Sequence, residues 1–256
     1  MRILGVGISL SETLFKFNIQ NLEIMSKRSK IVVLSGAGIS AESGIATFRG
    51  VDGLWEGHTI SDVATPEGWF RNPELVLEFY NQRRKNVIEA SPNEAHHILA
   101  SLEADFDVHV ITQNVDDLHE RAGSSKILHL HGEIRKARST INPSHVEYIE
   151  GSHLTMGDVC PQGGQLRPHI VWFGEDVPMI NIAAEICSSA DVLVIIGTSL
   201  NVYPAAGLRH AVPIGIRTFL IDPNAMELDL PKEVHSIAKV ATEGMKELYG
   251  ILIEER

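Results

Sequence analysis

The feature of this chain that most constrains its fold is a short apolar run that ends in glycines. Residues 31–34 read IVVL, and SGAGIS follows directly at residues 35–40. An uninterrupted run of aliphatic residues is typical of a parallel strand that is buried on both faces. Glycines directly after such a strand permit a tight turn and let backbone N–H groups approach a phosphate. The stretch therefore predicts a buried strand that leads into a nucleotide-binding turn.

Further apolar runs alternate with helical patterns along the 256 residues. The predicted later strands are residues 108–112, 127–130, 170–173, 192–196 and 218–221. The predicted helices are residues 73–90, 93–104, 116–122, 180–189, 205–211 and 242–253. This alternation predicts an α/β fold, with a Rossmann-like parallel sheet and helices on both of its faces. Ligands of such sheets bind beyond the carboxyl ends of the strands.

Two long stretches interrupt this alternation, at about residues 40–105 and 134–167. We interpret them as insertions that together form a smaller module beside the sheet. Residues 26–256 then form one domain, which includes both insertions. Residues 1–25 are interpreted as an N-terminal extension outside the fold, because a second methionine, Met25, stands shortly before the first strand.

The chain carries a formal charge of -11 and contains two cysteines. An acidic chain is not attracted to nucleic acid or to anionic membranes, so neither is an expected partner. Its apolar beginning, MRILGVGISL, is too short for a membrane span and lacks a clear signal-peptide cleavage site. Two cysteines are too few for a disulfide framework, which favours the cytoplasm as the compartment.

The glycine turn by itself does not predict a dehydrogenase. In those enzymes an acidic residue that binds ribose follows a second strand, roughly 20 residues after the turn. That distance here falls in VDGLWEGHTISD at residues 51–62, which is not a buried-strand pattern, although Asp52 or Asp62 could imitate the acidic residue. Hydride transfer is therefore disfavoured.

Four further motifs follow the glycine turn. They are ITQNVDDLHERAG at residues 111–123, HLHGE at 129–133, VWFGE at 171–175 and IGTSLNVYPAA at 196–206. Together with the turn, they resemble the motifs of the sirtuins, which are NAD-dependent protein deacylases. The resemblance extends from residue 31 to the last predicted helix. It implies a cleft between a Rossmann-like domain and a small module, where NAD is consumed as a cosubstrate and the acylated lysine of a protein is bound.

The resemblance assigns the catalytic role to His131. A histidine of near-neutral pKa can deprotonate a sugar hydroxyl and return the proton within one cycle. Considered alone it would more often be a structural histidine, and His129 is a local rival. The implied reaction begins when the acyl oxygen attacks the ribose as nicotinamide leaves. His131 then activates a ribose hydroxyl, and the products are nicotinamide, lysine and O-acyl-ADP-ribose.

The residues assigned to NAD lie in the glycine turn, in the loop after it and at the ends of predicted strands. They are Gly36, Ala37, Gly38, Ala41, Thr47, Phe48, Arg49, Gln113, Asn114, Asp116, Gly197, Thr198, Ser199, Asp222, Pro223 and Asn224. Simpler interpretations remain for some of them. Phe48 could be a core residue of the small module, Asn114 and Asp116 could cap a helix, and residues 222–224 could be an ordinary turn.

The acyl preference is predicted from Tyr80 and Arg83, which stand three positions apart on one face of a helix. An arginine fork and a tyrosine hydroxyl suit the carboxylate of a succinyl or malonyl chain. The alternative is a solvated basic helix end, since Arg83, Arg84 and Lys85 are consecutive charges. With Ala64 upstream, the pair resembles the sirtuins that remove acidic acyl groups, which favours desuccinylation and demalonylation alongside deacetylation.

Other substrate contacts are predicted from backbone that could pair with an extended peptide. The full set of predicted substrate-binding residues is Ala64, Tyr80, Arg83, Val171, Phe173, Gly174, Glu175 and Val202, with Asn201 beside the last of these.

The predicted second insertion departs from most sirtuins, which hold a structural zinc there with two cysteine pairs. It contains only Cys160, with His145 and His153 as further possible ligands and no paired spacing. No zinc is therefore predicted. Two other functions remain open, namely an NAD glycohydrolase or ADP-ribosyltransferase, and an inactive sensor of ADP-ribose.

Overall fold

A computed structural model describes residues 28–47, 54–55, 57–227 and 231–254. The predictions made for residues 1–25 and for Phe48, Arg49 and Asp52 lie outside these ranges. The strands are β1 (Lys30–Ser35), β2 (Leu54–Trp55), β3 (His58–Thr59), β4 (Asp107–Thr112), β5 (Ile127–His129), β6 (Gly132–Ser139), β7 (Val146–Tyr148), β8 (Leu166–Ile170), β9 (Val192–Ile196), β10 (Arg217–Ile221) and β11 (Val234–Ile237). The α-helices are α1 (Ile60–Val63), α2 (Pro66–Arg71), α3 (Pro73–Glu89), α4 (Glu94–Leu102), α5 (Leu118–Ala122), α6 (Ile180–Cys187) and α7 (Ala241–Glu254). Short 3-10 helices span Ala37–Ser43, Ala205–His210 and Ala225–Glu227.

The main sheet has the strand order β11-β10-β9-β1-β4-β5, and each neighbouring pair is parallel. The chain moves from β1 to β4 on one side and later returns to β9 on the other side of β1. The strand order therefore switches between β1 and β9, which is where a sheet of this kind binds its ligand. The predicted Rossmann-like fold is confirmed.

Side chains of the central strands alternate between two cores, because successive residues of a strand point to opposite faces. Ile31 and Val33 belong to the core that α4 and α7 cover. Val32 and Leu34 belong to the core that α6 and the 3-10 helix Ala205–His210 cover. The runs are apolar without interruption because both faces of the sheet are buried.

The structure differs from the sequence predictions in several elements. The strand predicted at 170–173 is wrong, since β8 ends at Ile170 and pairs antiparallel with β6 in a separate three-stranded sheet. The sixth strand of the main sheet, β11, was not predicted. The helix predicted at 205–211 is a 3-10 helix over Ala205–His210.

A third core, separate from the two on the faces of the main sheet, joins the two predicted insertions. Val76 and Tyr80 of α3 belong to the same buried cluster as Ile134, Leu166 and Ile170 of the small sheet. Helix α4 differs from the prediction, which placed it within the first insertion. Its apolar residues pack on the main sheet instead. The boundaries at about 40–105 and 134–167 therefore remain a proposal, with α4 assigned to the larger unit.

Two polar side chains of α3 form hydrogen bonds with backbone groups of the second insertion. Arg84, fully buried, donates through Nε to the Ile134 carbonyl at 2.7 Å and through Nη1 to the Ser152 carbonyl at 2.9 Å. It also donates to Oδ1 of Asn81 at 2.8 Å. Asn81 in turn bonds both the N–H and the carbonyl of Leu154, at 2.9 and 3.0 Å. Buried backbone groups of the insertion thus find their partners on one helix.

We expect Arg84→Met to lower the free energy of unfolding by about 2 kcal/mol, because two buried carbonyls lose their donor. Urea denaturation measures the change, and Lys85→Met is the control. Lys85 is the next residue of α3 and is exposed, so its replacement should change stability by less than about 0.5 kcal/mol. Equal effects of the two substitutions would show that the Arg84 contacts do not stabilise the insertion.

Candidate active site

The turns after β1 and β9 meet at the point where the strand order switches. Gly36 N–H donates to the Ile196 carbonyl at 3.0 Å, and Gly38 N–H donates to the Gly197 carbonyl at 2.8 Å. A Cβ on Gly38 would lie 2.6 Å from the Gly197 Cα, and one on Gly197 would lie 2.3 Å from the backbone nitrogen of Ile39. Gly197 also has a φ of +62°. These glycines are therefore required for turn-to-turn contact, in addition to any approach to phosphate.

A cavity of about 530 Å³ opens beside these turns, between the main sheet and the small module. Its lining includes His131, every predicted NAD-binding residue that the structure describes, and every predicted substrate-binding residue of the full set. Asn201 is not part of the lining. Segments that are more than 180 residues apart in sequence, such as Gly36 and Asp222, thus face one space.

Ser40 links two of the predicted residues at the inner wall of the cavity. Nδ2 of Asn114 donates to Ser40 Oγ at 3.2 Å, and Ser40 Oγ donates to Oδ2 of Asp116 at 3.0 Å. All three side chains are buried. Burial raises the pKa of Asp116, and the hydrogen bonds from the Leu118 N–H and from Ser40 offset the rise only in part. Asn114 and Asp116 therefore belong to a buried polar cluster.

The hydrogen bonds of the two neighbouring histidines, His131 and His129, show which of them can accept a proton. His131 has one ring nitrogen available for this. Nδ1 of His131 lies 3.1 Å from the Gln113 carbonyl, which can only accept, so this nitrogen carries the hydrogen. Nε2 of the neutral ring then has a free lone pair. Burial lowers the pKa of His131, and the bond to Gln113 offsets this in part, so the neutral form dominates at pH 7.

His129 uses both of its ring nitrogens. Nδ1 lies 3.0 Å from the Asn114 carbonyl, and Nε2 lies 2.7 Å from the carboxylate of Glu120. Burial lowers the pKa of His129, but the hydrogen bond and the charge of Glu120 outweigh it, so the pKa is raised overall. A histidine bonded to two acceptors is a donor at both nitrogens, and His129 supports Asn114 rather than acting as a base.

Helix α3 brings Tyr80 and Arg83 to the small-module side of the cavity. Asn72 caps the helix by accepting from the Leu75 N–H, and Pro73 suits its first turn. Tyr80 is fully buried and Arg83 is only 7% exposed. The alternative of a solvated basic helix end is therefore wrong for Arg83.

The VWFGE segment makes more internal contacts than its sequence suggests. Glu175 accepts from Arg138 at 2.9 Å and from Arg167 at 2.5 Å, and it also accepts from the Trp172 N–H at 2.8 Å. Its side chain is thus engaged within the small module. Two backbone donors are also used internally, since the N–H groups of residues 173 and 171 bond the carbonyls of residues 64 and 131.

The residues that line the cavity and were not predicted include Ser40, Trp55 and Trp172. Ser40 lies inside the glycine motif, at a position where the pattern makes no demand. The two tryptophans could have been noticed as large side chains within or close to predicted site segments. Nothing in their spacing, however, indicates which side chains they contact.

The three possible zinc ligands of the second insertion do not come together. His145 pairs with Glu147, and His153 lies 3.0 Å from the Ser152 hydroxyl. Cys160 is buried with its sulfur 3.2 Å from the Ser139 hydroxyl. Across the described ranges, no group of three or more histidine, cysteine or acidic side chains could hold a metal ion. These residues therefore do not fit a structural zinc site.

Among the helices of the described ranges, none is both long enough and apolar enough to cross a bilayer.

A parallel sheet with a glycine turn at its switch point, and a cleft lined by an imidazole whose Nε2 can accept a proton, are typical of an α/β nucleotide-binding enzyme. Residues 36–204 match the model of the Sir2 family. The chain belongs to this family, the sirtuins.

Relatives and solved structures agree with this assignment. The chain is 54% identical over 228 residues to an NAD-dependent protein deacylase of Bacteroides thetaiotaomicron, covering 87% of this chain and 97% of the relative. It is also 54% identical over 224 residues to an NAD-dependent protein deacylase of Helicobacter pylori, covering 88% and 97% respectively. Among solved structures, a complex of a mutant Sir2 homologue with ADP-ribose has a TM-score of 0.80 at 37% identity, covering 92% of this chain and 96% of that one. A Sir2 homologue in complex with NAD has a TM-score of 0.79 at 36% identity, covering 99% and 97%.

Proposed function

We propose that this chain is an NAD-dependent protein-lysine deacylase that removes succinyl, malonyl and acetyl groups. The deacylase class rests on relatives of that name that match over nearly their whole length. The acidic-acyl preference rests on one observation, the buried Tyr80 and Arg83 in the lining of the cavity that also contains His131. The substrate is then a protein whose modified lysine reaches into this cavity.

The cavity residues fit a dinucleotide. The glycine turns after β1 and β9 line the cavity and let phosphates come close to the backbone. Asn114 and Asp116 offer an amide and a carboxylate for the nicotinamide end. Residues 197–199 and 222–224 lie at strand ends on the other side of the switch point, where adenosine and its ribose would bind. When bound, NAD supplies a glycosidic bond whose cleavage releases nicotinamide and leaves ADP-ribose to receive the acyl group.

His131 is positioned as the proton acceptor of this reaction. The Gln113 carbonyl holds Nδ1–H, so Nε2 is the nitrogen that takes a proton from a ribose hydroxyl. The same imidazole can return that proton when the acyl group has moved.

The cytoplasm remains the proposed compartment, because both cysteines, Cys160 and Cys187, are free thiols.

One paired assay tests this function against the alternatives. The protein is incubated with NAD and a succinyl-lysine peptide, and nicotinamide and peptide are followed by mass spectrometry. Deacylation with an equal amount of released nicotinamide is the expected result. Release of nicotinamide that does not depend on the peptide would favour a glycohydrolase or ADP-ribosyltransferase, and absence of turnover would favour a sensor of ADP-ribose.

The pH dependence should reflect His131. The reaction needs the neutral ring, and burial lowers the pKa of this histidine. The rate should therefore rise with pH through an apparent pKa below the ordinary value of about 6.5 and level off at higher pH. A profile of kcat/KM between pH 5 and 8 measures this. An acid limb with a midpoint above 7 would contradict the assignment of His131 as the base.

A further inference from the structure

The guanidinium of Arg83 lies over the aromatic ring of Trp55. The Arg83 Cζ is 4.1 Å from the centroid of the Trp55 ring and 5.6 Å from that of Phe79. The two rings pack edge to face at 5.1 Å. A guanidinium held over an aromatic ring by a cation–π contact is restricted in position, and its N–H donors lie in the fixed plane of its fork. Trp55 therefore restricts the plane in which Arg83 can present its donors.

Trp172 restricts the hydroxyl of Tyr80 in a similar way. Its indole Nε1 donates to the Tyr80 oxygen at 3.1 Å, and an indole N–H can only donate. The phenol oxygen is thus the acceptor of this bond, and its own hydrogen must point elsewhere. Burial raises the pKa of Tyr80, and the Trp172 bond and the Arg83 charge counter this only in part. Tyr80 therefore keeps its hydrogen at neutral pH and remains a donor.

We propose that Trp55 and Trp172 are positioning residues that preset a carboxylate receptor in the acyl pocket. Trp55 fixes the guanidinium of Arg83 by stacking, and Trp172 directs the hydroxyl hydrogen of Tyr80 away from itself and towards the cavity. The ligand class is an acyl chain that ends in a carboxylate, which accepts from both groups. This inference rests on the proposed acidic-acyl preference. It attributes part of the affinity for an acidic acyl chain to two residues that do not bind the carboxylate themselves.

A preset receptor binds more tightly because less conformational freedom is lost on binding. Loss of the stack beneath a largely desolvated arginine should weaken carboxylate binding about tenfold. An acetyl group has no carboxylate, so it gains little from the preset orientation. The effect of each tryptophan should therefore appear mainly in the KM of the acidic substrate.

The test compares succinyl-lysine and acetyl-lysine peptides of one sequence at saturating NAD. Trp55→Leu should raise the KM for the succinyl peptide about tenfold and that for the acetyl peptide by less than about twofold. Trp55→Phe should restore most of the succinyl affinity, because it keeps a ring face for the guanidinium. Trp172→Phe should raise the succinyl KM about threefold or more, because it removes the hydrogen bond to Tyr80 and keeps an aromatic ring.

Double-mutant cycles distinguish positioning from general packing. If Trp172 acts through the Tyr80 hydroxyl, Trp172→Phe should have no further effect on the succinyl KM in a Tyr80→Phe background. Likewise, Trp55→Leu should add little in an Arg83→Met background. Additive effects in both cycles would overturn the proposal.

The failure of this inference can be told apart from the failure of the proposed function. If the unmodified protein has equal kcat/KM for both peptides, the acidic-acyl preference itself is wrong, and the inference falls with it. If it prefers the succinyl peptide but Trp55→Leu weakens both peptides equally, only the inference is wrong. Trp172 is 2% exposed, so thermal unfolding is measured for each variant, and the Trp55 series decides the outcome if Trp172→Phe does not fold.

Discussion

Replacing His131 with asparagine should reduce kcat by roughly 10²- to 10⁴-fold, because a positioned general base contributes about that much. Asparagine keeps a polar side chain near the Gln113 carbonyl but cannot accept a proton at neutral pH. Steady-state deacylation of an acetylated or succinylated peptide measures the loss, with nicotinamide release followed in parallel. The KM for NAD should change far less than kcat, since the substitution leaves untouched the glycine turns that are proposed to bind the phosphates.

His153→Asn is the control for this substitution. His153 is an exposed histidine of the second insertion and lies outside the cavity lining, so its replacement should leave kcat within about twofold. A His131→Asn variant with more than a tenth of the original kcat would mean that another group takes the proton. His129 would not be the first alternative, since both of its nitrogens are bonded.

The second large effect is expected at Arg83. Arg83→Met should lower kcat/KM for a succinyl peptide about 100-fold. The substitution removes hydrogen bonds to the charged carboxylate in a buried site, and such a loss costs about 1.5–3 kcal/mol of binding free energy. Methionine keeps much of the apolar stem that packs in the pocket, so hydrolysis of the acetyl peptide should fall by less than about threefold. The measurement is the ratio of kcat/KM for the two peptides at saturating NAD.

Lys85→Met is the matched control, since it removes a positive charge from the same helix at an exposed position. It should leave the ratio between the two peptides unchanged within about twofold, because exposed charges are screened. Equal losses for both peptides in Arg83→Met would show that Arg83 supports the pocket without selecting its acyl group.

The main sheet could be predicted because its central strands are buried on both faces and are apolar without interruption. Strand β11 was missed because it lies at the sheet edge, where only Ile237 of its residues is buried. In the small module, β8 has the sequence LRPHI, so its strand character is hidden by a charged residue, a proline and a histidine. The misplaced strand at 170–173 reflects the same difficulty, since its apolar residues continue beyond the end of β8.

The candidate site also has a part that could be predicted from the sequence and a part that could not. The structure gathers around one cavity the predicted site residues that lie in short motifs, because motif spacing reflects turns at strand ends. The tryptophan contacts could not be predicted, since Trp172 and Tyr80 are 92 residues apart and nothing in either segment specifies their hydrogen bond. The alternative of a solvated Arg83 was resolved only by its burial.

The contact between Gly38 and Gly197 leaves no space for even one added methyl group. A side chain inserted in either turn would have to displace the other, and the bond from Gln113 Nε2 to Thr198 Oγ1 at 3.1 Å spans the same junction. The turn after β1, the turn after β9 and the residue after β4 are therefore in direct contact at one junction. Attempts to redesign this protein for a different nucleotide would have to alter both turns together.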